Sequence, residues 1–172
     1  MVYAVWNVSA GGNSTPATSG ISTGQYWFSD PPNNVFDGDL FSPFPIYGVC
    51  NYTEYRYECG QNTGVYVTTQ QGPFVLKAFR VATGQHVDRD PMIVTIEGSN
   101  QNNSALIFGS SWTLIYNGTS GLDIDPGRAS LGVQQLIRNN TLAFASYRFL
   151  VVAKRGYDTC TEYGEVQLFI SL

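Results

Sequence analysis

Alternating apolar and polar residues recur along most of this chain, and this period of two is typical of β-strands with one buried face. In residues 64–69 (GVYVTT), Val65 and Val67 alternate with Tyr66 and Thr68. Successive side chains of a strand point to opposite faces, so each such segment offers one apolar face to a core. The same reasoning predicts strands at residues 74–82, 92–97, 112–116, 133–137, 144–153 and 163–170.

The segments between these strands are rich in Gly, Pro, Asn and Asp, which favour turns. No window shows the sustained 3.6-residue periodicity of an amphipathic helix, so almost no helix is expected. We therefore predict an all-β fold, an antiparallel jelly-roll β-sandwich of about eight strands. Residues 1–172 are interpreted as a single domain. Within it, residues 1–30 are expected to form an irregular segment packed on the sandwich, with one short strand near its start.

Composition narrows the class of protein. Charged residues make up 13% of the chain and the net charge is −4, without a basic cluster, so nucleic acid is not expected as a partner. No run of about 18 apolar residues is present, so no membrane-spanning helix is predicted. Asn-x-Ser/Thr sequons favour a secreted, extracellular glycoprotein, and we interpret the chain as one domain of a larger protein, with Met1 added for expression. The sequons begin at Asn7, Asn13, Asn51, Asn102, Asn117 and Asn139.

The three cysteines are Cys50, Cys59 and Cys160. An odd number leaves one thiol over in an oxidising compartment. Cys50 and Cys59 flank a short aromatic segment and could close it as a loop, but the predicted topology also brings Cys160 near both of them. The pairing stays open at this stage. No CxxC or Cys/His cluster indicates zinc.

A parity argument locates a candidate binding face. If each strand reverses the direction of the previous one, the loops 43–63, 83–90, 117–131 and 154–162 all lie at one end of the sandwich. That end collects the three cysteines, His86 and several charged residues. Because function on β-sandwiches usually lies in loops held by a rigid scaffold, we expect the ligand site there.

Asp37-Gly38-Asp39, followed by Ser42, is the most chemically distinctive turn of the sequence. Glycine accepts a positive φ without steric cost, and aspartate can bond its own downstream backbone, so the segment is predicted to turn sharply. Carboxylate, hydroxyl and carbonyl oxygens directed inward are the ligands that Ca²⁺ prefers. The alternative is an ordinary acidic turn with solvated carboxylates.

Several segments, in order along the chain, resemble the discoidin or coagulation-factor type C domain of the galactose-binding-like superfamily, a carbohydrate-binding-module-like fold. They are the Asp-Gly turn at 34–39, the stretch 89–100, Trp112, the stretch 140–150 and the closing strand at 163–169. The resemblance implies a jelly-roll sandwich. It also implies a structural Ca²⁺ held by the carboxylates of Asp37, Asp39 and Glu165, the Ser42 hydroxyl and the Phe36 carbonyl.

The resemblance also implies a lectin-like module that mediates adhesion or targeting to galactose-type or fucose-type glycans on a cell surface or matrix. Sugar sites combine aromatic faces, which contact pyranose C–H groups, with a few polar side chains. The candidate ligand-binding residues are His86, Arg89, Arg155, Tyr157, Tyr47 and Tyr55.

Other functions remain open at this stage. The family also has protein-binding and lipid-binding branches, and Phe41, Phe44, Ile46 and Tyr47 could form an apolar spike for anionic membranes, although the net negative charge disfavours that. A purely structural module is a further alternative. An enzyme is not expected, because the chain has one histidine and neither a Gly-x-Ser-x-Gly elbow nor a phosphate loop.

Overall fold

The computed structural model describes residues 1–170 and consists of two six-stranded β-sheets. Short 3₁₀ turns lie at Pro32–Phe36, Val87–Arg89, Asn103–Ile107 and Gly109–Ser111, and no α-helix occurs among the described residues. Residues 1–170 accordingly contain no helix long and apolar enough to cross a membrane. The strands are β1 (Val2–Trp6), β2 (Thr15–Pro16), β3 (Thr18–Ser19), β4 (Gln25–Tyr26), β5 (Phe44–Ile46), β6 (Thr63–Thr68), β7 (Leu76–Thr83), β8 (Pro91–Ser99), β9 (Thr113–Thr119), β10 (Gln135–Leu136), β11 (Ser146–Lys154) and β12 (Thr161–Ile170).

The strands pair almost entirely antiparallel, which confirms the predicted all-β sandwich. One sheet has the order β2-β1-β6-β11-β8-β9 and the other has the order β10-β7-β12-β5-β4-β3. Only the two-residue pair β3 and β4 is parallel. At the centre of the first sheet, Phe149 of β11 lies opposite Val65 of β6 on one side and Ile96 of β8 on the other.

The strands that were not predicted are the very short β2, β3, β4 and β5. The first three lie within residues 1–30, where only one short strand was expected. The segment predicted as a strand at 133–137 is reduced to the two residues of β10. β5 lies in a segment that was expected to be a loop because it contains two prolines. Pro45 cannot donate a backbone hydrogen bond, but its carbonyl accepts one from the Trp27 amide.

The main core lies between the two sheets and is built from the alternating apolar positions. In β8, Val94 and Ile96 are buried in it, whereas Ile93 points outward and is exposed. Phe79 and Tyr163 contribute from the second sheet, and Phe149 packs against both of them edge-on or tilted. Burying such side chains is the main favourable contribution to folding.

A second buried layer attaches residues 9–14 and 103–112 to the outer face of the first sheet. Arg148 and Glu97 form an ion pair with both side chains fully buried, at 2.7 Å. Arg148 also donates to the Gly12 carbonyl at 2.9 Å and stacks over the Trp112 ring at 4.7 Å. The Gly11 amide donates to Glu97 at 2.7 Å, so the N-terminal segment completes the pair and is fixed by it.

Candidate functional site

Three of the loops predicted to share one end of the sandwich contact one another there. The Arg89 guanidinium, from the loop after β7, lies 3.0 Å from the carboxylate of Asp158, in the β11–β12 loop, and 2.9 Å from that of Glu162, at the start of β12. Asp90 receives Arg128 from the loop after β9 at 2.8 Å and Arg155 at 3.2 Å. Antiparallel strand order therefore brings residues distant in sequence onto one face.

A cleft of about 650 Å³ opens between these loops and the N-terminal segment. Of the predicted ligand-binding residues, His86, Arg89 and Tyr47 line it. Aromatic side chains and carboxylates from other segments complete its walls. The remaining lining residues are Trp27, Ser29, Asp30, Asn34, Phe41, Ser42, Pro43, Pro45, Tyr52, Gln85, Thr159 and Glu162.

Glu162 organises the polar side of the cleft. Its side chain is 4% exposed and accepts hydrogen bonds from the backbone amides of Gln85 and His86. The His86 ring nitrogen Nδ1 lies 3.2 Å from the same carboxylate, and Arg89 donates to it at 2.9 Å. One buried carboxylate thus fixes both the backbone and the side chains of the loop that carries His86 and Arg89.

The cleft also has a second carboxylate and a buried phenol. Burial, and then the nearby Glu162 carboxylate, raises the pKa of Asp30 above its usual value. Tyr47 is almost fully buried, and burial raises the pKa of its hydroxyl, so the phenol stays neutral. The cleft therefore presents a guanidinium, a half-exposed imidazole and carboxylates beside aromatic rings.

Arg155, Tyr157 and Tyr55 lie outside this cleft. The Arg155 guanidinium contacts Asp90 and donates to the Leu122 carbonyl, so it holds loops together. The Asp90 carboxylate pairs with Arg155 and Arg128. The neighbouring Arg89 pairs with Asp158 and Glu162 instead. Tyr55 and Tyr157 belong to a separate exposed group of rings beside the cleft.

The apolar spike suggested for a lipid-binding domain is not formed. Phe41 is 77% exposed, but Phe44, Ile46 and Tyr47 are buried. Phe44 and Ile46 belong to β5, where pairing with β12 turns them into the core. The spike was an alternative to sugar binding, and it is not formed because β5 lies between β12 and β4 and faces the core.

The Asp-Gly turn meets the last strand. Asp37 follows the 3₁₀ turn that ends at Phe36, and Gly38 has a φ of +81°. The Gly38 amide donates to the Glu165 carboxylate of β12 at 2.9 Å, and the Ser42 hydroxyl donates to Asp37 at 2.7 Å. All the side chains that the resemblance assigned to a metal thus lie in one turn or on the strand it packs against.

The electrostatics of this turn are unfavourable for three ionised carboxylates. Burial, together with the nearby Asp37 and Asp39 carboxylates, raises the pKa of Glu165 to about 7 against the opposing effect of the hydrogen bond from the Gly38 amide. Within residues 1–170, no lysine or arginine pairs with these carboxylates. The described residues contain no ready-made group of three acidic, histidine or cysteine side chains around a common point.

Cys50 and Cys59 form a disulfide, and Cys160 is a buried free thiol. Burial raises the pKa of Cys160 to about 12, so the thiol is protonated and unreactive at neutral pH. The disulfide closes the loop that carries Tyr52 and Tyr55, and Tyr52 lines the cleft.

Sequence reasoning missed Glu162, Asp30 and Trp27 as site residues. Trp27 and Glu162 are separated by more than a hundred positions, and nothing in the local pattern of either connects them. A Trp-Phe pair followed by an aspartate, in a segment otherwise rich in small residues, was the available signal. It indicated an aromatic surface, although not which loops would surround it.

Comparison with known proteins shows which solved structures share this fold. No protein-family profile and no curated protein sequence matches the chain. Solved structures do: the CBM62 module of Clostridium thermocellum Xyl5A aligns with a TM-score of 0.59 at 13% identity, covering 99% of this chain and 94% of that one. A CBM32 module from a Clostridium perfringens family 31 glycoside hydrolase gives 0.60 at 16% identity, covering 90% of each chain.

Two further solved structures have a similar fold. An F5/8 type C domain from Bacteroides fragilis aligns with a TM-score of 0.58 at 13% identity over 81% of this chain and 80% of that one. The CBM32 of AlyQ, solved with 4,5-unsaturated mannuronic acid, gives 0.54 at 15% identity over 99% of each chain. The chain therefore shares the fold of these carbohydrate-binding modules and of an F5/8 type C domain, as the sequence resemblance implied.

Proposed function

We propose that this chain is a non-catalytic carbohydrate-binding module. The observation that carries the proposal is the cleft in which Glu162 fixes His86 and Arg89 and which aromatic side chains also line. A pyranose has an apolar face and an edge of hydroxyls, so it requires a ring to stack on and directional hydrogen-bonding groups beside it. This cleft supplies both on a rigid scaffold.

The geometry suggests a role for each side chain. Asp158 and Glu162 hold the Arg89 guanidinium from two sides. This fixed orientation sets the direction in which its remaining N–H groups can donate. His86 is half exposed and presents its free ring edge to solvent. Trp27, half-buried and stacked on Phe28 with ring centroids 4.8 Å apart, is suited to contact the apolar face of a sugar.

The ligand class is inferred from the same features and from what related structures hold. A Clostridium perfringens ZmpB fragment with this fold was solved with GalNAc, and the AlyQ module was solved with an unsaturated uronic acid. Because the cleft combines a cation with two carboxylates, we expect a neutral galactose-type or fucose-type unit on a cell-surface or matrix glycan. The disulfide and the sequons support an extracellular module that mediates adhesion or targeting.

A glycan array followed by titration calorimetry tests the proposal. The wild-type protein should bind a defined set of glycans, and His86→Ala and Arg89→Ala should each weaken that binding by about tenfold or more, because each removes a directional contact, about 1.4 kcal/mol per tenfold. Arg138→Ala, an exposed arginine in the loop after β10, is the matched control and should bind normally. An empty array, or equal binding by all variants, would contradict the proposal.

We further propose that the Asp-Gly turn holds a structural Ca²⁺. The donor atoms are of the kind that calcium takes in sets of six to eight: carboxylates from Asp37, Asp39 and Glu165, a hydroxyl from Ser42 and a carbonyl from Phe36. The three carboxylates do not surround a common point without the ion, so they would close around it on binding. The uncompensated negative charge around Glu165 supports a bound cation. Calcium would tie the first long loop to the last strand and so stabilise the fold, and through Ser42 it would also support one wall of the cleft.

Thermal unfolding with and without calcium tests this second proposal. Added Ca²⁺ should raise the melting temperature and EDTA should lower it again, because a ligand that binds only the folded state stabilises it. Asp37→Asn should remove the response. Glu58→Gln, which changes an exposed carboxylate elsewhere, should leave it intact. A melting temperature indifferent to both additions would exclude a structural calcium.

A further inference from the structure

Three exposed tyrosines form a compact aromatic surface next to the cleft. Tyr55, Tyr57 and Tyr157, here called the tyrosine cluster, are 52%, 60% and 55% exposed. The ring of Tyr157 stacks near that of Tyr55, with centroids 6.4 Å apart, and meets Tyr57 edge-on at 5.5 Å. Such a concentration of exposed rings is typical of a binding surface.

The loop that carries two of these rings is fixed from several directions. Cys50 and Cys59 close it with a disulfide. Inside it, the Thr53 amide donates to the Asn51 side chain at 2.9 Å. Arg56 pairs with Asp158 as an isolated β-bridge, which joins the loop to the segment that carries Tyr157. The rings are therefore held in place before any ligand arrives, which lowers the entropic cost of binding.

Two segments link the tyrosine cluster to the cleft, because each carries a cluster residue and a residue that lines the cleft. Tyr52, in the same disulfide loop, lines the cleft, and so does Thr159, two residues after Tyr157. Between them, Asp158 contacts Arg89 of the cleft at 3.0 Å. A ligand seated in the cleft and extending past Tyr52 and Thr159 meets the tyrosine cluster next.

The charged groups around the rings do not favour an anionic ligand. Arg56 and Glu54 pair with each other at 2.8 Å, and Glu58, next to Tyr57, adds an exposed carboxylate to the same loop. Tyrosine faces suit the C–H faces of a pyranose, and their hydroxyl edges suit its hydroxyl groups. The chemistry of the cluster is therefore that of a neutral sugar subsite.

We propose that the tyrosine cluster binds a second sugar unit of the glycan whose terminal unit occupies the cleft. The module then recognises a neutral oligosaccharide rather than a monosaccharide alone. This inference rests on the proposed sugar-binding function of the cleft, and it adds a distinct contact surface whose contribution depends on the length of the glycan.

Calorimetry with two probes, galactose and β-1,4-linked galactotetraose, tests the proposal. The protein is produced in a bacterial periplasm, where disulfides form. The wild-type protein should bind the tetrasaccharide about tenfold tighter than galactose, a difference of about 1.4 kcal/mol. Tyr157→Ala should reduce that ratio to about one by removing the ring common to both aromatic contacts, while leaving galactose binding unchanged. Tyr157→Phe keeps the ring and should retain most of the ratio.

Phe108→Ala is the matched control, since Phe108 is also an exposed aromatic residue but follows β8, at the opposite end of the sandwich. It should change neither affinity, and unfolding curves should show that all variants are folded. Equal affinity of the wild-type protein for both probes would overturn the second subsite and leave the cleft proposal intact. A length advantage that survives Tyr157→Ala would do the same. Failure of the wild-type protein to bind either probe would also overturn the second subsite, and together with an empty glycan array it would contradict the cleft proposal itself.

Discussion

Replacement of Glu162 by glutamine is the sharpest perturbation of the candidate site. Glutamine has nearly the same shape, so the substitution removes the charge and one acceptor without creating a cavity. In the wild-type protein the carboxylate accepts from two backbone amides and contacts His86 and Arg89. The N–H₂ group of glutamine would have to face the backbone amides or the Arg89 guanidinium, which are themselves donors, so at least one hydrogen bond is lost.

The magnitude follows from burial. Removing one partner of a buried ion pair costs about 3–5 kcal/mol when the remaining charge has no other partner. Here Arg89 is 19% exposed and keeps Asp158 at 3.0 Å, so we expect a smaller loss, about 2–3 kcal/mol in the free energy of unfolding. Sugar binding should weaken by about tenfold or more, because His86 and Arg89 lose their common anchor.

Urea unfolding and calorimetry with galactose measure the two effects on the same protein. Glu54→Gln is the control, since Glu54 is 43% exposed and pairs with an exposed arginine. Exposed pairs contribute about 0–1 kcal/mol, so this variant should remain within that range and bind galactose normally. If Glu162→Gln were as stable as Glu54→Gln and bound galactose equally well, the cleft would not be organised by Glu162, and the reasoning above would be refuted.

Three further predictions concern stability. In calcium-free buffer the native state holds the Glu165 proton more tightly than the unfolded state does, because the native pKa is about 7. The free energy of unfolding should therefore fall by about 1 kcal/mol, after allowance for solvent screening, as pH rises from about 4.5 to 7. Glu165→Gln should abolish that fall when urea unfolding is measured at both pH values. Replacing Cys50 and Cys59 by alanine should lower the free energy of unfolding by about 2.7 kcal/mol from chain entropy, and an unchanged urea midpoint would contradict this. Glu97→Ala should cost about 3–5 kcal/mol by leaving Arg148 charged and buried, whereas replacing both residues by methionine should cost less; equal losses would argue against the ion pair.

The class of fold was accessible from the sequence because the period-two pattern is local. Burial of Val94 and Ile96 with exposure of Ile93 follows the alternation along one segment. The same holds for the long strands β7, β11 and β12, which are rich in apolar residues and contain no turn signal strong enough to predict a loop. Short strands such as β5 are different, since they exist only because a neighbouring strand supplies hydrogen bonds. Local composition, dominated there by proline, predicted a loop.

The candidate site was predicted only in part for the same physical reason. Strand parity brought His86 and Arg89 to one end of the sandwich, and their loop lies there. Their orientation depends on Glu162, which is distant in sequence and whose role requires knowing which strands of the second sheet are neighbours. Arg155 seemed equivalent to Arg89 by its position in a loop, but a buried Asp90 engages its guanidinium.

The sequence by itself determined that the chain forms an all-β sandwich and that Asp37-Gly38-Asp39 forms an acidic turn. Both follow from alternation and turn chemistry, which act between near neighbours. Only the tertiary structure decided how distant segments combine. It joined Trp27, Arg89 and Glu162 in one cleft, paired Cys50 with Cys59, and placed the tyrosine cluster beside that cleft. Those outcomes depend on sheet order and register, which follow from packing the whole core at once.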